Sequence, residues 1–373
     1  MAREHRRPLA KNGLKTEEED DDKQTHDLSA PLRQDEERSA YTTINPSGFF
    51  IRHPPAPHLL DSPQTPDDRL FQTIHMGAAV VDPSRWRLVV DGMVERPYSL
   101  TMAQLRRLRP GTVTAFHECF GSPLQPPTNA VWRIGNVTWS GVPLSTLLAL
   151  ARPKPGAAFV WSEGLDSGTF AGVTADRYQK DLPIDKAWRP EVLVATHMNG
   201  EPLTKERGAP ARLVVPGWFG TNMTKWLCRL TVMDRRAGGP YTTTFYNVKD
   251  PEDPTGTRTK PVWAVDVNSV ITRPAPEEDM VGPAVQVEGW AWSEDGVREV
   301  HVSSTAGDTW VPAALAVRKD YGWQRFSATL QLEPGKHTVI SRATSESGSK
   351  QPLSGHRNHV HSLSIIVRNS RET

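Results

Sequence analysis

Apolar and polar positions change rhythm along this chain, and the changes divide it into three stretches. Residues 1 to 43 carry almost no aromatic or branched apolar residues and include the acidic run EEEDDD at Glu17–Asp22. Such a segment cannot bury enough surface to offset the entropy of ordering, so a disordered charged tail is expected, with order beginning at about Tyr41. From Trp86 the run WRLVVDGMVERPYSLTMAQLRRL predicts an alternating strand, a Gly turn, a second short strand and a helix opening at Ser99 or Thr101. Thr101 and Gln104 have the spacing of a capping box. A second helix is predicted over Pro143–Ala151, with Pro near its first turn and an apolar stripe. Between Phe159 and Val232 short apolar strands alternate with Gly/Pro turns without a regular βαβ repeat, so residues 44 to 267 read as α+β. From about Asn268 the texture changes to short period-2 runs, among them VQVEGWAWS, REVHVSST, WQRFSATLQL and HSLSIIV, separated by turns such as EDG and EPGK. That spacing predicts an all-β, immunoglobulin-like sandwich over 268 to 373.

Composition agrees with two folded domains. The chain has 373 residues, 37% of them hydrophobic and 23% charged, with a net charge of +1. A balanced charge gives no reason to expect nucleic acid or an anionic membrane as partner. No stretch approaches the ~18 apolar residues of a membrane span. Arg6 and Arg7 suggest a twin-arginine export signal, but no apolar segment follows them, so a cytoplasmic location is expected. Neither GxGxxG nor a Walker pattern occurs, which argues against a bound nucleotide.

Two cysteines, Cys119 and Cys228, exclude a disulfide framework and a multi-thiolate zinc site. Cys228 lies in the apolar run KWLCRLTV and reads as core. Cys119 is different: the β-prone run Val113–Phe116 delivers it into a Gly/Ser/Pro loop, and a second patterned run, WRIGNVTWSGV, follows. One soft sulfur at a strand end is either buried filler or the single protein ligand of a soft metal with open positions. Upstream, the proline density of Ser47–Pro63 forbids a helix and predicts an extended path. Downstream, Arg207, Arg212 and Lys225 flank an apolar strand, Leu213–Val215, in residue types suited to phosphate.

The blocks ECFGS, SEGLDSG, HMNGEPL, GAPARLVVPGWFG, TKWLCRLTV and GWAWSEDGVREVHVS, in this order, resemble the sulfite oxidase family of molybdenum enzymes from about Gly48 to the C-terminus. The resemblance implies a molybdopterin-binding domain followed by a dimerisation sandwich. It implies that Cys119 ligates molybdenum beside the pterin dithiolene and that Arg52, in FFIRH, faces an anionic substrate. Phe50 and His53 would touch the pterin, with Asp166, Arg207, Arg212, Met223, Thr224 and Lys225. Tyr246 falls on the family's active-site tyrosine, with Tyr241 as runner-up. Three departures stand out: Arg207 replaces a histidine, Asn222 replaces an arginine of animal sulfite oxidases, and PLSGHRN is short, leaving Arg357 a loose counterpart of a second pocket arginine. His356, His359 and His361 read as solvated or packed, the last two on a strand face.

The expectation is therefore a homodimeric oxidoreductase that oxidises sulfite or a related small oxyanion. No CxxCH occurs, so no haem is expected and electrons would leave to a separate acceptor. The alternatives are a reductase of nitrate or a sulfoxide, and a non-catalytic binding protein on the same scaffold.

Overall fold

The computed structural model describes residues 28, 41–43, 50–52, 54–122, 132–250 and 252–369. Most of the expected charged tail, His53 and the Phe50 side chain lie outside the described residues. Order is present at Tyr41–Thr43, a strand paired antiparallel with Ala79–Val81.

The first part is mostly β with a few short helices. One five-stranded sheet runs in the spatial order Gln179–Pro183, Phe159–Gly164, Leu227–Met233, Arg87–Gly92, Tyr98–Thr101. The strand and helix expected from Trp86 form, but Arg87–Gly92 does not alternate: Leu88, Val89 and Val90 are all buried, so both faces of the strand are covered, and Thr101 caps the helix Met102–Leu105. The Thr101 hydroxyl accepts from Gln104 N at 3.1 Å while Gln104 Oε1 accepts from Thr101 N at 2.7 Å, so both orphan donors are satisfied. The longest described helix, Leu144–Ala151, lays Leu144, Leu147 and Leu148 into a core shared with Trp86, Leu88 and Leu230.

A second sheet carries the chemistry. Gly111–Glu118 and Ile134–Pro143 form a long antiparallel hairpin with Glu118 opposite Ile134, so Cys119 leaves the sheet at the hairpin's loop end. Leu193–Met198 pairs on the other side of Ile134–Pro143, and Arg212–Val214 pairs with Leu193–Met198.

The C-terminal part is the expected sandwich. Asn268–Arg273, Ala284–Trp292, Gln324–Gln331 and Ala314–Leu315 form one sheet; Asp279–Val281, Ser362–Arg368, Gly335–Ser345, Val297–Ser303 and Val311–Pro312 form the other. Val285, Val287, Phe326, Val339 and Ile365 fill the space between them. A separate tryptophan-rich cluster joins the two parts: Phe116, Trp132 and Phe219 pack with Trp290, Trp292 and Trp323, and Trp290 donates to Leu60 O at 2.6 Å. No described helix is long and apolar enough to cross a membrane.

Two expectations are corrected here. Proline does not forbid a helix throughout Ser47–Pro63: Pro57 opens a 3-10 turn over Pro57–Leu59, where its missing N–H costs nothing. His359 and His361 precede the strand Ser362–Arg368 instead of sharing its face; His359 bonds to His356 O, and His361 is half-buried against Trp132.

Candidate active site

Cys119 lines a cleft holding about 660 Å³ of empty space, some of it open to solvent. Phe71–His75, the end of the Gly111–Glu118 strand, the stretch from Gly220 to Trp226 and Tyr246 converge on it, together with Asp166, Tyr178, Arg207 and Arg212. The turn after Glu118 is fixed by the backbone, with Cys119 N donating to Arg133 O at 3.0 Å and Ser122 N to Cys119 O at 3.0 Å. Thr73 Oγ1 lies 3.9 Å from Cys119 Sγ.

Basic side chains form one wall. Arg207, Arg212 and Lys225 all line the cleft, and burial pulls each below its ordinary pKa, Arg212 to about 9. Arg207 donates to Asp67 and to the carbonyls of Phe71, Asp67 and Leu70. Arg212 donates to Arg207 O and Met223 O and lies 4.7 Å over the Trp139 ring; Lys225 Nζ reaches Thr73 O and Glu206 O, both at 3.0 Å. Gly208, at φ +98, lets the chain pass this lysine, since a Cβ there would meet Lys225 Cβ at 2.6 Å.

Asp166 faces these cations with a buried carboxyl, and its Oδ1 has no partner. Burial pushes it up to about 7, opposed by its own backbone N–H and by Lys225. The folded state therefore holds this proton more tightly than the unfolded chain. Its stabilising contribution is complete below about pH 4 and is lost as pH rises through 7. In cofactor-free protein, Asp166→Asn should flatten the fall in stability between pH 4 and 7. The span from 3.8 to 7, at 1.36 kcal/mol per pH unit, caps the effect at about 4 kcal/mol. Urea midpoints at pH 5 and 7.5 check it, and parallel pH profiles in parent and variant would refute it.

In the same cleft, Tyr246 Oη is hydrogen-bonded to His75 Nε2. Burial raises the phenol well above its usual range and lowers His75 to about 3, so the tyrosine stays protonated and the imidazole neutral. Tyr241, the runner-up, is buried against Tyr178 and does not line the cleft.

The structure gathers Cys119, Asp166, Arg207, Arg212, Met223, Lys225 and Tyr246 around one space. It leaves others outside. Arg52 lies on the outer strand of a pair, Phe50–Arg52 against Gln72–Ile74, and its Nη2 is spent on Asp67 O at 2.7 Å and Leu70 O at 3.1 Å. The inner strand lines the cleft, so Thr73 faces the sulfur where an arginine was expected. Thr224 points behind the wall, bonded to Ser162 Oγ at 2.7 Å. Asn222 anchors a turn through Phe219 O and Val262 O. Arg357 is bound to Glu118 and to Ser122 O, and so holds the cysteine turn. His75 and His117, which line the cleft, were missed, as was Arg133, which lies outside the lining with its Nη1 3.6 Å from Cys119 Sγ. The sequence signal for His75 was its place in the apolar, proline-free run LFQTIHM, which marks an inner strand better than FFIRH does.

The donor set fits a molybdopterin. Cys119 offers one soft ligand and leaves the rest of a metal's sphere to a cofactor; among the described residues no group of three or more His, Cys, Asp or Glu converges. The buried cations call for an anionic group such as a phosphate, and Asp166 Oδ1 and Arg212 Nε remain free to meet polar ring atoms.

Comparison with known proteins agrees. Residues 75–241 match the oxidoreductase molybdopterin binding domain, and residues 259–369 match the Mo-co oxidoreductase dimerisation domain. Sulfite oxidase of Gallus gallus is 31% identical over 353 residues, covering 87% of this chain and 76% of that protein. The sulfane dehydrogenase SoxCD from Paracoccus pantotrophus superimposes with a TM-score of 0.74 at 29% identity, over 97% of this chain and 93% of its own. A nitrate reductase of Ulva prolifera is 28% identical over 77% of this chain but only 38% of its own length. With a lone thiol turned into a cationic cleft and these matches spanning both of its parts, the chain belongs to the sulfite oxidase family of molybdopterin-dependent oxidoreductases.

Proposed function

We propose that the protein oxidises sulfite, or a related small oxyanion, to sulfate, with a molybdenum–molybdopterin cofactor in the cleft and Cys119 as its protein ligand. The observation that carries this reading is the placement of Cys119 Sγ at a strand end beside a wall of buried cations. When bound, the cofactor would supply a two-electron metal couple and the site of oxygen-atom transfer. Overall, sulfite gains one oxygen that originates in water, while two protons and two electrons leave.

The chain's own residues supply the rest. Arg207, Arg212 and Lys225 offset the cofactor's negative charge, and the carboxyl of Asp166 meets a ring N–H. The Tyr246 hydroxyl, hydrogen-bonded to His75 Nε2 and lining the same space, positions a phenol to relay a proton that must leave with the electrons. Phe71, Met223 and Trp226 exclude water from the same space. Electrons pass to a separate acceptor, and the sandwich from about Asn268 onward pairs two copies into a homodimer.

A second reading, reduction of nitrate by the same site, is favoured by the neutral Thr73 hydroxyl next to the sulfur and by the likeness to a nitrate reductase. Metal and pterin analysis followed by steady-state turnover separates the two. Stoichiometric molybdenum with turnover of sulfite on an artificial acceptor is the expected result. Turnover of nitrate by a reduced dye, with none of sulfite, would replace the first reading by the second.

A further inference from the structure

Lys180, on the strand Gln179–Pro183, is a lysine only 1% exposed, and among the described residues no carboxylate forms an ion pair with it. The neighbouring Asp181 is taken elsewhere: it accepts from Arg236 Nε and Nη2 at 3.0 and 2.9 Å and from Ala237 N at 2.8 Å. The Lys180 ammonium donates to Tyr241 O at 2.9 Å. Burial pulls its pKa down to about 8, with Asp181 opposing and Arg236 adding to the effect, so the side chain is still a cation at neutral pH. A buried charge without a counter-charge costs stability that an apolar side chain of the same length would not.

What this charge faces is the phenol of Tyr246: Lys180 Nζ lies over that ring, 5.6 Å from its centroid. The same strand ties down the segment that carries the tyrosine. Lys180 bonds to the helix Pro240–Thr243 through Tyr241 O, and Gln179 Oε1 accepts from Gly239 N at 3.0 Å. Tyr246 follows this helix at φ +59, a left-handed backbone that a tyrosine adopts only where its surroundings hold it. Burial, Cys119 and Tyr241 keep the phenol proton on, with Thr221 and Arg133 opposing them. A relaying phenol carries partial negative charge on Oη between releasing one proton and taking up the next, and burial opposes that charge. A cation over the ring face is attracted to the neutral ring and more strongly to the phenolate.

We propose that Lys180 is a positioning residue for the proton step: its ammonium, held over the Tyr246 ring, stabilises the charge that develops on Oη while a proton passes through. The inference rests on the relay role given to Tyr246 in the function proposed above. A lysine that only braced the fold would lose stability and activity together, whereas Lys180→Met should lose activity without losing stability. The test uses molybdenum-loaded protein as parent, Lys180→Met, Lys180→Arg, Tyr246→Phe and the double variant Lys180→Met with Tyr246→Phe. Three quantities are read: the melting temperature; kcat and KM with whichever of sulfite or nitrate the parent turns over; and the pKa of a more acidic fluorinated tyrosine placed at Tyr246, followed by its absorbance, which needs no turnover.

Lys180→Met should melt at or above the parent and lower kcat about tenfold, with KM within about threefold. The fluorinated phenol should rise by about one pH unit, the same tenfold read at equilibrium. Lys180→Arg keeps the charge and should stay nearer the parent in both readings. In the Tyr246→Phe background the second change should cost no further kcat, because the oxygen whose charge it stabilises is gone. An unchanged phenol pKa in Lys180→Met, an equal loss of kcat with and without the Tyr246 hydroxyl, or a lower melting temperature with parental kcat would each overturn the assignment. If the parent turns over neither substrate, the functional reading fails while the phenol pKa still decides the role of Lys180.

Discussion

Cys119→Ser should abolish oxidation of substrate while leaving the cofactor largely in place. Arg207, Arg212, Lys225 and Asp166 line the cleft and would hold the cofactor through many contacts, of which the thiolate would supply one. Oxygen is a harder donor than sulfur, and replacing the soft ligand changes the metal's potential more than its residence. A fall of about three orders of magnitude in kcat, about 4 kcal/mol in the barrier, is the expected size. Molybdenum and pterin content should stay above half of the parent's. Full activity in this variant would remove Cys119 from the chemistry, and complete loss of the pterin would mean that the sulfur, not the cationic wall, retains the cofactor.

The second large effect concerns stability and reaches across the junction between the two parts. Glu118 is fully buried immediately before Cys119, and burial raises its pKa against the opposing pull of Arg357. Its Oε2 accepts from Trp292 Nε1 at 2.7 Å and its Oε1 from Arg357 Nη1 at 2.6 Å; the same nitrogen also donates to Ser122 O at 2.7 Å. The guanidinium lies 4.5 Å over the Phe219 ring. One side chain of the C-terminal part thus closes both ends of the cysteine turn.

Removing one member of a buried ion pair leaves the other uncompensated, at about 3–5 kcal/mol. Arg357→Ala should lower stability by that amount at pH 7. The sign with pH follows from the raised carboxyl. Without Arg357 the folded state holds the Glu118 proton still more tightly than the unfolded chain, so the deficit shrinks below the ordinary carboxylate range and grows as pH rises. Adding Glu118→Gln to Arg357→Ala removes the orphaned charge and should recover a large share of the loss. Denaturant midpoints of the two single variants and the double variant decide the matter. A deficit under about 1 kcal/mol, or no recovery in the double variant, would show that the pair is not what holds the turn.

The parts of the fold that depend on local pattern were legible in the sequence. The hand-off from an apolar strand to Cys119, the Thr101–Gln104 capping box and the sandwich strands each follow from spacing alone, and all are present. Cys228, read as core, is buried with its thiol against Glu163 O. The parts that depend on which strand of a pair faces inward were not legible. Phe50–Arg52 and Phe71–His75 are both short extended runs with apolar and basic or imidazole residues, and only tertiary register puts Thr73 and His75 in the cleft and Arg52 outside it. Thr224 lies between two cleft-lining residues, Met223 and Lys225, but its side chain turns to Ser162. Arg133 carried no local signal, because its proximity to Cys119 arises from the hairpin pairing of Glu118 with Ile134. Tyr246 lies between the helix Pro240–Thr243 and the hairpin of Asn247–Lys249 with Thr259–Pro261.

The most direct test of the central claim, that Cys119 is the protein's ligand to molybdenum, is X-ray absorption at the molybdenum edge on parent and Cys119→Ser. The account predicts molybdenum in both, with one sulfur neighbour fewer in the variant. Equal sulfur counts in the two proteins, or a parent without molybdenum, would contradict it.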